Sequence, residues 1–484
     1  MAIQVVTTEQ STLFTIRTKH TTYQMKADEY GVLLHLWYGA SVEGDMSYLL
    51  DYPDVGFSGN LYEAENRRTY SLNTLPLEYA TEGVGDFRIP AVAATHADGS
   101  NALDLRYQSY SILKGKYAIA GLPAVYADED EAETLEIVLK DTATDLQVTL
   151  RYGVLPELDM LTRCVSIQNL GTTPITLTKA ASFCLDLPYG KWEWMHFHGR
   201  HAMERITERT PLIHGIQESS STRGTSSHHQ NPTAILCTPD CTETNGSCFG
   251  AAFLYSGSFQ TKIEYDQMRQ ARMVMGLHPD LFRWELQPNA TFDTPEVLFT
   301  YSDSGLETLS HRFQKTIREH VCRGKYQKIE RPVLINNWEA TYFDFNEEKI
   351  LKIAEEAARL GVDMLVLDDG WFGKRDDDCS GLGDWFVNEQ KLRGGLGTLV
   401  QKVKALGMRF GIWFEPEMIS EDSDLYRTHP DWAIQIPGRN PMRSRYQLLL
   451  DLSNPDVQDY LYERISAILN SADISYVKWD MNRS

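Results

Sequence analysis

The stretch "YVKWD" places Lys478 two residues before Asp480. Its aromatic and β-branched residues predict a strand, and alternation along a strand sends Lys478 and Asp480 to one face, Val477 and Trp479 to the other. On that face an ammonium beside Asp480 favours the ionised carboxylate, the form in which a carboxyl acts as a nucleophile. Upstream, Asp368 and Asp369 close the run "LVLDD", while Trp338, Trp371, Trp413 and Arg445 stand near the ends of other apolar runs. Indole plates for the C–H face of a ring, interleaved with charged groups that bond hydroxyls, make the combination that binds a sugar. Each residue has a plainer role open to it: tryptophans fill cores, an ion pair stitches a barrel, an acidic pair decorates a loop. Their concentration at strand ends favours a site.

The elements that must carry these residues are βα units. From Arg331 onward apolar strands alternate with amphipathic helices: "PVLINNW", then Asn346 as cap with Glu347 and Glu348 in the first turn, Ile350, Ile353, Ala357 and Leu360 inward, and Gly361 as the stop. The unit recurs through "DMLVLDDGWFG", a helix around Leu399, Val403 and Leu406, "RFGIWFEPEM", a helix opened by Asn454-Pro455, and "YVKWD". Each strand ends in polar or aromatic residues, the end at which a (β/α)8 barrel builds its active site. Four strands are countable, half of such a barrel. Before residue 300 the texture differs: short segments rich in Val, Thr, Tyr and Ile, such as "LEIVLKDTATDLQVTLRYGV", alternate apolar and polar residues and predict antiparallel sheets. The expected architecture is therefore an N-terminal antiparallel β-sandwich over 1–300, a helical link over 301–330 with its helix at about Gly305 to Gly324, and four βα units of a (β/α)8 barrel over 331–484.

A chain of 484 residues with 42% hydrophobic composition is large enough for two cores. Its formal net charge of −21, with no dense basic cluster, argues against nucleic acid and anionic lipid as partners. The N-terminal residues lack a basic region followed by an apolar core, and no run approaches the length of a membrane helix, so the expected location is cytoplasmic. Seven thinly spread cysteines predict reduced thiols. Cys237, Cys241 and Cys248 with His228 and His229 upstream, and the HxHxxH spacing of "HFHGRHAMERI", raise a metal site, but no CxxC pair supports it. No metal and no cofactor are expected.

Five motifs in order, "NNWEATYFDF", "LDDGWFGKRDDD", "GIWFEPEMIS", "RYQLLLDLSNPDV" and "YVKWDMNR", resemble glycoside hydrolase family 36, the tetrameric bacterial α-galactosidases. "YLLDYPDVGFSGN" and "GVGDFRIPA" are similar to the N-terminal β-sandwich of that family. The resemblance implies an exo-acting retaining α-galactosidase on α-galactoside oligosaccharides of the melibiose and raffinose type, with no cofactor. It implies Asp480 as the nucleophile, Lys478 and Arg445 as hydroxyl contacts, Asp368 and Asp369 on O4 and O6 of galactose, and Trp338 and Trp413 as walls. It also implies a homotetramer in which an acidic residue of a neighbouring subunit, here Asp54, closes the pocket. The family's acid/base carboxyl belongs to a later barrel strand and is not found in 1–484, so the chain is expected to be truncated after the fourth strand, with Glu415 and Glu417 as site architecture. Two other readings stay open: a sugar-binding or assembly fragment without catalysis, and a Schiff-base aldolase using Lys478.

Overall fold

Leu135, Ile137 and Leu139 alternate with polar neighbours along Glu133–Asp141, and in the computed structural model, which describes residues 2–280 and 282–483, that segment is a strand with these three side chains buried. It pairs antiparallel with Leu146–Leu155, from Glu133 opposite Val154 to Asp141 opposite Leu146. The chain divides into two units, Met1–Gln327 and Lys328–Ser484. In the first, the strands pair antiparallel: four run in chain order from Ile3 to Ala40, and the rest build two larger sheets. Phe14, Leu135 and Phe183, one from each sheet, share a single apolar core.

The helix expected near residue 305 spans Gly305–His320, and its Leu309 packs within this unit on Met195, Phe197, Cys237, Cys241 and Cys248. The three cysteines are buried thiols, and burial pushes Cys237 up to about 12. The described residues hold no group of three side chains arranged for a metal ion. No described helix is long and apolar enough to cross a membrane.

The second unit is built on four parallel strands in chain order: β1 (Leu334–Asn336), β2 (Met364–Leu367), β3 (Arg409–Phe414) and β4 (Tyr476–Trp479). Their registers place Leu334 beside Met364, Met364 beside Arg409, and Gly411 beside Tyr476. The crossovers carry α1 (Glu347–Arg359), α2 (Gly395–Ala405) and α3 (Pro455–Ser471). Asn346 caps α1 by accepting from the Lys349 N–H, and Gly361 at φ 81° supplies the left-handed turn that ends it. Ile350, Ala354 and Ala357 face the core as the spacing requires. Leu360, expected inward, is instead 71% exposed, because it lies past the last full turn as the C-cap. Leu406 after α2 turns out for the same reason. Asn454 accepts from Asp456 N–H and Pro455 opens α3, which buries Val457, Leu461, Ile465 and Ile468. A two-stranded ribbon, Met418–Ser420 with Gln447–Leu449, folds beyond β3 and brings Glu417 and Arg445 toward the C-terminal ends of the strands.

Candidate functional site

The polar residues that end β1 and β2 form one network. Asn337 is fully buried and its Oδ1 accepts the Asp368 backbone N–H at 2.8 Å, fixing the turn out of β2. Asn336 donates to Asp368 Oδ2 and accepts the Trp338 N–H at 2.8 Å, which starts the short helix Trp338–Thr341. Lys478 Nζ donates to the same Asp368 oxygen at 2.8 Å. Asp369 is gripped by Arg375, Nε at 3.0 Å and Nη2 at 2.8 Å, with both side chains buried. Burial pushes the Asp369 carboxyl up, and the guanidinium acts against that shift. Lys391 Nζ holds this loop by donating to the carbonyls of Phe343, Gly370 and Arg375.

At the ends of β3 and β4 the centre is Asp480. Its backbone N–H continues the ladder to Phe414 O at 2.8 Å. Its Oδ2 accepts from the Trp413 indole at 3.1 Å and from Asn482 Nδ2 at 2.9 Å. Its Oδ1 accepts, among the described residues, only the Met481 backbone N–H, at 3.2 Å. The other Asn482 Nδ2 hydrogen goes to Glu415 Oε1, and the Asn482 backbone N–H to Glu417 Oε1 at 3.0 Å. Arg445, with its backbone at φ 54°, brings Nη2 to 3.6 Å from Glu415 Oε1. Burial is the main force raising both glutamates, Glu415 to about 8 and Glu417 to about 7; the charges of Glu417 and Asp480 add to the rise at Glu415, and that of Asp480 to the rise at Glu417.

Three expectations change. The ion-pair partner of Lys478 is Asp368, reached across β3, while Asp480 is held by neutral donors; the flexible lysine stem spans to the buried carboxylate at the end of β2. Trp371 is wholly buried and donates Nε1 to the Trp413 carbonyl at 3.0 Å, so it belongs to the core rather than to a sugar-facing wall. Trp479, predicted to share the apolar strand face with Val477, is 61% exposed, because β4 ends the strand order and only Val477 meets the core. Trp338 is partly buried, with Tyr342 and Phe343 edge-on to its ring. Trp413 is buried with its indole N–H aimed at Asp480. Asp54 lies in the first unit on a loop, where Arg68 Nη2 sits 3.1 Å from its Oδ1.

Sequence reasoning missed Asn336, Asn337, Arg375 and Asn482 as positioning groups. All four stand inside the strand-end motifs, and their signal was the placement of amides and a guanidinium next to carboxylates that would otherwise be buried without donors.

Residues 31–287 match the glycosyl hydrolase family 36 N-terminal domain, and residues 291–484 match the melibiase family. The chain belongs to glycosyl hydrolase family 36. Among family 36 relatives, it is 54% identical over 472 residues to the bifunctional alpha-galactosidase/sucrose kinase AgaSK of Mediterraneibacter gnavus, covering 98% of this chain and 50% of that protein. It is 46% identical over 477 residues to alpha-galactosidase AgaA of Geobacillus stearothermophilus, covering 98% of this chain and 65% of that one. The solved galactosidase domain of AgaSK superimposes with a TM-score of 0.97 at 53% identity, over 99% of this chain and 67% of that one. Substituted AgaA, 46% identical with a TM-score of 0.95 over 97% of this chain and 66% of that one, has been crystallised with raffinose and with stachyose. This chain thus spans half to about two thirds of the length of these curated relatives.

Proposed function

We propose that these residues belong to a retaining exo-α-galactosidase that releases terminal α-galactosyl residues from melibiose- and raffinose-type oligosaccharides. The observation that carries the reading is the asymmetric holding of Asp480: two neutral side-chain donors fix Oδ2, and Oδ1 is left with one backbone contact. Oδ1 attacks the anomeric carbon; the glycosidic C–O bond breaks with a proton delivered to the leaving oxygen, giving a galactosyl-aspartate ester. Water then attacks the same carbon, gives its proton to the group that acted as acid, and releases galactose with Asp480 restored.

A retaining mechanism requires a second carboxyl about 5–5.5 Å from the first. Glu415 and Glu417 are not given that role: both are buried, and both have a carboxyl oxygen occupied by Asn482, Glu415 by its side-chain amide and Glu417 by its backbone N–H. We assign the acid/base to a carboxyl outside residues 1–484, and the four βα units to the first half of a (β/α)8 barrel, in keeping with a chain that spans only part of its relatives. Asp368 and Lys478 as a bonded pair, and Asp369 set by Arg375, present charged groups to sugar hydroxyls, with Trp338 and Arg445 beside them. The galactose configuration is read by those carboxylates, since a site built to bond a hydroxyl rejects the isomer that lacks it there. Asp54 completes the pocket of a neighbouring copy in a homotetramer; the exposed aromatics Tyr48, Phe57 and Tyr62 on the same stretch of chain support a surface of that kind. Lys478 as a Schiff-base amine is disfavoured, because its Nζ donates to a buried carboxylate rather than lying in an apolar pocket.

The test is turnover of α-galactosides by the full-length protein, with trapping by a slow fluorinated galactosyl substrate. Mass spectrometry should find the label on the peptide that contains Asp480. A label on another residue, or none with turnover intact, overturns the reading.

A further inference from the structure

The Asn482 side-chain amide touches two carboxyl groups at once, donating one hydrogen to Asp480 Oδ2 at 2.9 Å and the other to Glu415 Oε1. Its backbone N–H is fixed separately on Glu417 Oε1 at 3.0 Å. An amide can turn over and present its oxygen instead of its nitrogen, and beside Asp480 that would set an acceptor against a carboxylate. The Asp480 carboxylate opposes the oxygen-inward orientation and Glu415 Oε1 takes the second amide hydrogen, so the nitrogen-inward orientation satisfies both neighbours. Glu415 is 1% exposed, on the segment that follows β3, so it is an acceptor held in place before substrate arrives.

We infer that Asn482 and Glu415 act as one positioning device, in which Glu415 selects the orientation of the Asn482 amide and the amide sets the rotation of the Asp480 carboxylate. This rests on the reading of Asp480 as nucleophile. The Trp413 indole alone leaves that carboxylate one side-chain hydrogen bond, about which it can swing; the second donor turns Oδ1 toward the sugar. The device stabilises the attacking geometry, which matters in the transition state and little in the bound ground state. Its loss belongs in kcat rather than KM. Displacement of a reacting atom by about 1 Å costs on the order of 100-fold in rate.

The experiment is a double-variant cycle in the full-length protein, with steady-state kinetics on an aryl α-galactoside and thermal melts of every variant. Asn482→Ala should lower kcat and kcat/KM together by about 100-fold, with KM within about 3-fold. Glu415→Ala should fall by a similar factor, and the double variant should be no worse than Asn482→Ala alone, because residues that act as a unit are not additive. Glu415→Gln keeps an acceptor oxygen and should recover at least about tenfold of the Glu415→Ala loss. If Glu415→Ala does not fold, the cycle is run with Glu415→Gln, whose effect should vanish once Asn482→Ala is present. Multiplicative losses, or losses confined to KM, overturn the inference. So does full turnover in Asn482→Ala when Asp480→Ala is dead. Full turnover in Asp480→Ala instead overturns the nucleophile assignment beneath it.

Discussion

Lys478 on β4 and Asp368 at the end of β2 are joined at 2.8 Å across the intervening strand β3. The bond links two non-adjacent strands at the end of the sheet where the polar network lies. Asp368 also accepts from Asn336 and from the Asp369 N–H, so one carboxylate collects three donors from three segments.

Removing the cation should therefore cost stability as well as binding. Lys478→Met should lower the unfolding free energy by about 1–3 kcal/mol, the range for leaving a buried acceptor short of its charged donor. Lys478→Met with Asp368→Asn should cost less than the two losses added, because the second change removes the charge that the first stranded. Urea unfolding of the four proteins measures both; an additive result would mean that the pair is not coupled.

Asp480→Ala should remove turnover by several orders of magnitude while leaving the melting temperature within a few degrees. Kinetics and circular dichroism on the same preparation check it. Near-normal activity would exclude Asp480 from the chemistry.

Arg375 and Asp369 form a buried pair with bidentate geometry, so Arg375→Met should destabilise by about 3–5 kcal/mol, the cost of stranding a buried charge. Asp369→Asn should reduce the ratio of kcat/KM for α-galactosides over α-glucosides. An unchanged ratio would make the pair a structural clamp only.

Glu415 and Glu417 give stability a pH dependence of unusual sign. Burial raises their folded values to about 8 and about 7 from 4.5, so between those values the folded state holds more protons than the unfolded one. Their contribution is complete below the unfolded value and is lost as pH rises above it, the loss ending near 7 for Glu417 and near 8 for Glu415. The groups around them are Arg445, which opposes the shift of Glu415, and Asp480, which adds to both. Melts from about pH 5 to 9 should fall toward the alkaline side, and Glu415→Gln should flatten the upper part of that fall. A wild-type melting temperature that rises with pH through this window would contradict the assignment.

The two end strands of the sheet expose apolar side chains, Val333 and Leu334 at β1, Tyr476 and Trp479 at β4. Unpaired strand edges with such residues associate. Residues 1–484 by themselves should show concentration-dependent association in sedimentation velocity, weakened by Trp479→Lys. A monodisperse monomer at all concentrations would contradict association through these edges.

Much of the architecture was legible from periodicity. Alternation of Leu135, Ile137 and Leu139 announced a half-buried antiparallel strand, and the 3.6-residue spacing with Asn346 and Gly361 at its limits announced a capped helix, because these patterns are written in consecutive residues. The same local logic placed Asp368, Asp369, Trp413, Lys478 and Asp480 at strand ends. It failed where an element's last residue decides: Leu360 and Leu406 carry the apolar pattern one step past the helix and face water.

Partnership was decided only by the tertiary structure. Sequence proximity suggested that Lys478 serves Asp480, but the parallel stacking of β2, β3 and β4 sets a buried carboxylate from residue 368 within reach of a long, flexible ammonium. The same stacking delivers an indole from residue 413 to Asp480 and turns Trp371, near in type and spacing, into the core. Residue type and local pattern fix which groups stand at a strand end; which of them meet depends on strand order and register, and those are settled by contacts between residues tens to a hundred positions apart.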